Sequence, residues 1–346
     1  MDVGRRRLVL GSGRFSVIVA VRSLIVGLAA AALSVVLGLV ALALGDFPLT
    51  VTEVVGVLAG QVQGLPAIVV TEWRLPRAVA AVVFGAALAV AGAVFQSVTR
   101  NPLASPDIIG LANGSFTGML VALLLLGGSW PLLTAGSLIG GLLAAVAIYL
   151  LAYRTGLQGF RFIVVGIGVS AMLASVNTWM LLRVELETAL FASAWGAGTL
   201  NSVTTSTLLP AGALIVLLLG LLSLVTPAIR QLDLGDDAAA ATGVAVNRAR
   251  LVAITIAVGL VSAVTAVAGP IAFVALAAPQ ITRRLTRSAG IPFAATAAVG
   301  GVLLLGSDLI AQHVIPLTVP VGVVTVVLGG GYLVWLLIHE SRRRRA

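Results

Sequence analysis

Long apolar runs make up most of the chain, and short polar segments separate them. The runs fall at about residues 23–44, 78–98, 107–126, 132–153, 163–182, 208–228, 250–268, 271–285, 291–311 and 317–338. A helix needs roughly 20 apolar residues to cross a hydrocarbon core about 30 Å thick. The pattern therefore predicts an all-α, polytopic membrane protein with about ten transmembrane helices, arranged as a single transmembrane domain over residues 1–346.

The composition supports this prediction. Hydrophobic residues make up 60% of the chain and charged residues 10%, and the mean hydropathy is +1.14, which excludes an ordinary soluble globular protein. The first run is too long for the apolar part of a secretory signal, so residues 1–22 are interpreted as an N-terminal arm. The chain contains no Cys, and His313 and His339 lie far apart in sequence. No metal site and no other cofactor is predicted.

The basic residues indicate the topology. All 21 are Arg, and the formal net charge is +9. The Arg residues lie in short loops between apolar runs, as in loops retained on the cytoplasmic side, so the charge indicates membrane orientation and not nucleic-acid binding. With both termini in the cytoplasm, 18 of the 21 Arg residues lie inside. The exceptions are Arg74, Arg77 and Arg183.

The segment from Thr99 to Asp107 is the most irregular one within the apolar region. Ser105 is a predicted N-cap, Pro106 the first helical residue, and Asp107 a carboxylate favoured at a helix N-terminus. The segment is either a tight turn that starts the third helix, or a gate, because irregular backbone at membrane depth must line a cavity.

Residues 229–250 form the longest polar cytoplasmic segment. Asp236 and Asp237, followed by four Ala, predict the acidic first turn of a short helix that ends near Gly243. Such a short helix is marginal in isolation. We expect it to dock either on its own chain or on a soluble partner.

A series of motifs resembles the iron-chelate and cobalamin permeases of ABC importers, the FecCD-type family, over nearly the whole chain. The motifs, in order, are Arg74-Leu75-Pro76-Arg77 with Gly85-Ala86-Ala87-Leu88 and Gly92; Asn101-Pro102-Leu103-Ala104-Ser105-Pro106; Gly110 with Asn113-Gly114; Leu234-Gly235-Asp236 with Ala241-Thr242-Gly243; Gly269-Pro270-Ile271-Ala272-Phe273 with Pro279; and Pro320-Val321-Gly322-Val323-Val324-Thr325.

The resemblance implies an assembly in the bacterial cytoplasmic membrane. Two permease subunits, copies or paralogues, surround one central path through the lipid bilayer. Two cytoplasmic ATPases hydrolyse ATP, so this chain itself is not an enzyme, and a substrate-binding protein docks on the outer face. The string from Ala278 to Ser288 resembles the ferric-siderophore branch, with cobalamin or haem as alternatives.

The resemblance also implies roles for individual residues. Arg74 and Arg77 either extend to the lipid headgroups or pair with Glu72, or, as the resemblance implies, meet acidic residues of the binding protein. In the last case Pro76 would hold both guanidiniums in a stiff turn against one carboxylate. The remaining assignments are Asn101 and Leu103 at the cytoplasmic gate; Gly159 and Phe160 at a second gate position, where relatives can carry hydroxyl residues; and Asp236, Asp237, Ala240, Thr242 and Gly243 in the ATPase-docking segment. Gln280 and Gln312 stand where relatives often have His and Arg.

The fifth apolar run contains Ser170, Ser175, Asn177 and Thr178. Such residues either hydrogen-bond neighbouring helices or line a path. Because the fifth helix borders the central path in the resembling family, the resemblance implies the second role.

Two other classes of protein fit the sequence less well. A proton- or sodium-coupled secondary transporter normally carries ionisable residues at mid-span, but Asp107 and Asp308 lie toward the ends of their runs. A membrane-embedded enzyme is disfavoured because no His and carboxylate cluster, Cys nucleophile or Walker-type loop is present in the sequence.

Overall fold

The computed structural model describes residues 7–10, 17–107, 110–127, 129–152, 159–317 and 319–345. Within the predicted arm 1–22, a short antiparallel hairpin of β1 (Arg7–Leu10) and β2 (Val17–Ala20) precedes the first helix. The helices are α1 (Val21–Ala43), α2 (Val51–Leu58), α3 (Leu65–Ile68), α4 (Leu75–Thr99), α5 (Leu111–Leu125), α6 (Trp130–Ala152), α7 (Gly159–Leu181), α8 (Leu186–Gly196), α9 (Thr205–Leu232), α10 (Asp236–Ala241), α11 (Val246–Ala268), α12 (Val274–Thr286), α13 (Phe293–His313) and α14 (Val321–Arg345).

Each of the ten predicted apolar runs overlaps one of these helices. Within the described residues, seven helices are long and apolar enough to cross a membrane: α1, the continuous helix Leu65–Thr99, α6, α7, α9, α11 and α13. The apolar stretches of α5 and α14 are shorter, and α12 has only 13 residues. The helical, polytopic membrane class is confirmed, while the number of ten crossings stays a prediction.

The core of the bundle is built around α4 and α11, which are buried on nearly all sides. α4 packs against α13, α11, α12 and α9, and its Phe84, Leu88 and Phe95 are almost completely enclosed. Helices on the outside of the bundle, such as α1 and α9, instead expose large apolar side chains. This is the arrangement of a bundle that is surrounded by lipid.

Glycines permit the closest helix crossings. A Cβ atom at Gly92 of α4 would overlap the carbonyl oxygen of Ala275, and one at Gly85 would overlap the carbonyl oxygen of Gly300. Gly118 and Gly136 meet in the same way where α5 crosses α6. Small residues let helix backbones approach in lipid, where packing replaces the hydrophobic drive.

The segment Arg74-Leu75-Pro76-Arg77 lies within a continuous helix. The π-helical segment Val69–Arg74 joins α3 to α4, and the Leu75 amide donates to the carbonyl oxygen of Val70. Because Pro76 has no N–H, the regular helical bond to residue 72 cannot form, and the wider turn accommodates the ring. The prediction that Pro76 forms a stiff turn is therefore wrong.

Candidate functional site

At the N-terminal end of α4, Arg77 forms a buried ion pair with Asp308 of α13. Its Nε donates to Asp308 Oδ2 at 2.9 Å and its Nη2 donates to Asp308 Oδ1 at 2.8 Å. The Asp308 side chain is 2% exposed and that of Arg77 is 19% exposed. Gln312 donates a third hydrogen bond to Asp308 Oδ2 at 2.6 Å. The bidentate geometry is the strongest form of this pair and fixes α13 against α4.

Arg74 holds the end of α1. Its Nη1 donates to the carbonyl oxygen of Leu42 at 2.8 Å and its Nη2 donates to that of Phe47 at 2.7 Å. The last carbonyls of a helix have no partner within the helix, so a guanidinium stabilises this end. Arg74 and Arg77 also line one cavity of about 320 Å³, together with Trp73 and Asn201. The two guanidiniums thus have separate partners within the chain.

At the opposite end of α4 lies the segment of residues 101–107. We term it the gate turn, after the role that the resemblance implies for Asn101 and Leu103. The Leu103 amide donates to Asn101 Oδ1 at 2.9 Å, and the Ala104 amide donates to the Asn101 carbonyl oxygen at 3.1 Å. Leu103 is 42% exposed. The turn is therefore closed on Asn101 and presents Leu103 at its surface.

A pair of buried amide side chains fixes the gate turn to the bundle. Gln280 of α12 donates to the carbonyl oxygen of Pro102 at 3.2 Å and to the side-chain oxygen of Gln96. Gln96 in turn donates to the Leu276 carbonyl oxygen at 3.1 Å. From the resemblance, Gln280 is notable only because relatives often have His at this position. In the structure, the Gln280 side-chain amide contacts the gate turn.

The helix start predicted at Ser105 to Asp107 is wrong. α5 begins at Leu111, after Gly110 in a left-handed conformation with φ of 92°. Asp107 Oδ2 accepts hydrogen bonds from the Ser105 hydroxyl at 3.0 Å and from the Phe273 amide at 3.1 Å. Phe273 lies in the non-helical segment before α12, where its amide has no helical partner. Asp107 therefore binds the Phe273 amide instead of capping α5.

The second predicted gate position lies at the start of α7. α7 begins at Gly159, but the side-chain surroundings of Gly159 and Phe160 lie outside the described part of the structure. Their gate assignment stays a prediction.

The polar residues of α7 divide into two groups. The side chains of Ser170 and Asn177 face α5: Asn113 Nδ2 donates to Ser170 Oγ at 2.8 Å, and Thr117 Oγ1 donates to Asn177 Oδ1 at 2.6 Å. Ser175 and Thr178 are exposed, and their hydroxyls donate to carbonyl oxygens of their own helix. The geometry therefore gives the first pair an interhelical bonding role and leaves the second pair free to border a path.

The polar segment 229–250 contains the short helix that the sequence predicts. This helix, α10, begins with Asp236 and Asp237 and ends before Gly243, which has φ of 86°. Ala239 is buried against the bundle, whereas Asp237, Ala240, Thr242 and Gly243 are exposed. We call these four residues the exposed docking face, after the ATPase-docking role that the resemblance implies for them.

Asp236 has a different environment from Asp237. Its Oδ1 accepts hydrogen bonds from Nη2 of Arg250 at 2.6 Å and from Nη2 of Arg100. Partial burial acts to raise the pKa of Asp236, but the hydrogen bonds and charges of Arg250 and Arg100 outweigh it and lower the pKa below its ordinary value. The carboxylate is therefore ionised at neutral pH.

Sequence reasoning missed the partners of Asp308 and Asp236. A signal existed for Asp308, because a carboxylate within an apolar run requires a cation or several donors. It could not identify Arg77, which lies 231 residues away in sequence. Arg100 was counted only as a cytoplasmic charge, and nothing local distinguishes it from the other loop arginines.

The chain matches the FecCD transport family over residues 33–339. It is 46% identical to the ferric enterobactin transport system permease protein FepG of Escherichia coli (strain K12), over 90% of this chain and 94% of that protein. It is 34% identical to the achromobactin transport system permease protein CbrC of Dickeya dadantii, over 96% and 97% of the two chains. It is 33% identical to the iron(3+)-hydroxamate import system permease protein FhuG of Bacillus subtilis, over 89% and 95%.

The fold is similar to that of a solved metal-chelate type ABC transporter in an inward-facing conformation. The TM-score is 0.81 at 24% sequence identity, and the match covers 91% of this chain and 99% of that one. The family match and the relatives above 30% identity along almost their full length show that the chain belongs to the FecCD transport family.

Proposed function

We propose that this chain is the membrane-spanning permease subunit of an ATP-driven importer that carries a ferric siderophore into the bacterial cytoplasm. The observation that carries the proposal is the 46% identity, over 90% of the chain, to a ferric enterobactin permease. The membrane-type helices supply the body of a permease. In this proposal a partner subunit hydrolyses the ATP.

The partners are assigned to the two ends of the bundle. The exposed docking face of α10 would contact the ATPase, and the end with Arg74 would meet the substrate-binding protein. A second permease, a copy or a paralogue, would complete the path along α7. The exposure of Ser175 and Thr178 supports this place for the path, because weakly polar hydroxyls let a bulky chelate pass without holding it.

Reconstitution in proteoliposomes tests the function. The chain is assembled with its second permease, ATPase and binding protein, and uptake of radiolabelled ferric enterobactin is measured. We expect uptake that requires ATP on the ATPase side and continues in the presence of a protonophore. Uptake without the ATPase that collapses with the protonophore would indicate an ion-coupled transporter instead.

Competition in the same assay tests the substrate class. We expect unlabelled ferric chelates to suppress the uptake of label, and cobalamin and haem to leave it unchanged. ATP-dependent uptake of labelled cobalamin or haem with no uptake of ferric enterobactin would move the chain to one of those substrates while keeping the ATP-driven mechanism.

A further inference from the structure

A cluster of three charged side chains joins α10 to the residue that immediately precedes the gate turn. We call Arg100, Asp236 and Arg250 the coupling cluster. Arg100 directly follows α4, Asp236 begins α10, and Arg250 lies near the start of α11. Because one carboxylate oxygen accepts from both guanidiniums, it ties three separate helices together.

Arg100 combines an unfavourable backbone conformation with side-chain contacts to two helices. Arg100 has φ of 50°, the left-handed conformation that glycine normally supplies at a helix end. A residue with a Cβ atom adopts it at a cost in free energy. The guanidinium bonds to Asp236, and its Nε also donates to the Leu232 carbonyl oxygen of α9 at 3.2 Å. These contacts fix the end of α4 to both sides of the loop that leads into α10.

The gate turn follows Arg100 without an intervening residue. Its first residue, Asn101, accepts the two hydrogen bonds that close the turn. The next carbonyl group, that of Pro102, is bound by Gln280. The turn is thus held on one side by α12 and on the other, through Arg100, by α10. A displacement of α10 would therefore move the base of the turn relative to α12.

Asp236 and Asp237 face in different directions, since successive residues of a helix are separated by about 100°. The carboxylate of Asp236 is bound within the chain, and Asp237 is exposed. We infer that the coupling cluster transmits movement of α10 to the gate turn, and that Asp236 is a positioning residue and not a contact of the ATPase. This inference rests on the proposed function, in which α10 is the ATPase-docking element.

The experiment compares Asp236→Asn with Asp237→Asn in the assembled transporter. The measured quantities are co-purification of the ATPase and the number of chelate molecules transported per ATP hydrolysed. We expect Asp236→Asn to retain the ATPase but lower the transport ratio at least about fivefold, because it removes the ionic contacts that tie α10 to Arg100 and Arg250. We expect Asp237→Asn to weaken ATPase recovery and keep the ratio.

Arg100→Gln should lower the transport ratio as Asp236→Asn does, and the double variant should lose less than the sum of the two single changes, because both changes remove the contact between Arg100 and Asp236. Arg100→Lys should keep more of the transport ratio than Arg100→Gln does. The matched control is Arg287→Gln: Arg287 follows α12 in the same left-handed conformation, with φ of 51°. Among the described residues it has no ion pair with α10, so the ratio should stay at its unmodified value.

A labelling readout separates coupling from a loss of structure. Leu103→Cys is introduced into this Cys-free chain, and a thiol reagent is applied from the ATPase side with and without nucleotide. We expect the labelling rate of the Leu103→Cys variant to depend on nucleotide. When Asp236→Asn is added to this variant, the rate should become independent of nucleotide.

The outcomes separate the inference from the proposed function. An unchanged ratio and unchanged nucleotide dependence in Asp236→Asn would overturn the inference. Loss of the ATPase by Asp236→Asn, as severe as in Asp237→Asn, would also overturn it and place Asp236 in the interface. Normal ATPase recovery from a variant that replaces Asp237, Ala240 and Thr242 together would instead overturn the docking role of α10.

Discussion

At the residue scale, the buried carboxylate of Asp308 determines what Arg77 does. An ionised carboxylate within a membrane helix is costly unless it is paired and hydrogen-bonded. Arg77 and Gln312 supply three hydrogen bonds to it. Arg77 is therefore first a structural partner of α13, and any role in docking must be tested with this role accounted for.

We expect Arg77→Gln to destabilise the chain by about 3–5 kcal/mol, because it leaves Asp308 buried without its cation. Thermal unfolding of the detergent-solubilised protein measures the loss. The double variant Arg77→Gln with Asp308→Asn should lose less than the sum of the single changes, since it removes the uncompensated charge. Arg183→Gln is the control, because Arg183 is exposed and its guanidinium lies over Trp179 at 5.6 Å. A loss as large in this control would contradict the prediction.

Docking of the binding protein is better tested at Arg74 than by changing both arginines to Glu, which would also place a second carboxylate against Asp308. Arg74→Gln removes the charge, and Arg74→Lys keeps it while losing the planar fork that binds the α1 carbonyls. We expect Arg74→Gln to weaken docking about fivefold at low salt and less at high salt, and Arg74→Lys to retain it. Equal loss of thermal stability in both variants with unchanged docking would leave Arg74 as a helix cap only.

At the element scale, most helices were predictable and their ends and neighbours were not. A long apolar run in lipid must satisfy its backbone internally, so it forms a helix, and all ten runs overlap one. The cap predicted at Ser105 failed because Asp107 binds the distant Phe273 amide, which no local pattern reveals. The sequence also could not predict that Ser170 faces α5 while Ser175 is exposed. Periodicity does not identify the helix that packs on each face.

The crossing of α4 and α12 depends on Gly92. A methyl group there would overlap the backbone of Ala275. Gly92→Ala should therefore force the helices apart and lower the free energy of unfolding by about 1–3 kcal/mol. Gly38→Ala in α1 is the matched control, because nothing lies within 4 Å of its added Cβ and Ala favours the helix. Unfolding temperatures of the two variants measure the contrast. Equal temperatures would mean that the crossing adjusts to the extra methyl group.

At the scale of the whole molecule, two ionic clusters mark the two ends of the bundle. α4 has 25 residues, so Arg77 and Arg100 lie about 35 Å apart along it, a little more than the hydrocarbon thickness. α11 starts at the Arg100 end, where Arg250 meets Asp236. α13 finishes at the Arg77 end, where Asp308 lies. Between the end of α11 and the start of α13, the chain must therefore return from the Arg77 end of the bundle to the Arg100 end.

α12 alone is too short for that return, since 13 residues span about 20 Å. The preceding non-helical segment 269–273 lies within the bundle, and its Phe273 amide is satisfied by Asp107. Irregular backbone at membrane depth is tolerated when it is bound in this way inside the protein. The α12 end also contacts the start of α1, where Arg22 Nε donates to the Leu285 carbonyl oxygen at 2.7 Å. This contact places the start of α1 at the same end as α10, which is the end that a crossing by residues 269–286 would reach.

Single cysteines test this topology in the Cys-free chain. Thr52 of α2 and Ala241 of α10 are both exposed and belong to opposite ends of the bundle. In intact spheroplasts, we expect a membrane-impermeant maleimide to label Thr52→Cys at once and Ala241→Cys only after the membrane is opened. A tag after residue 346 should likewise resist external protease until the membrane is opened, because an even number of crossings returns the C-terminus to the side of α10. Labelling of both cysteines from outside would contradict the opposite placement of the two ends, and a tag cleaved in intact spheroplasts would contradict the even number of crossings.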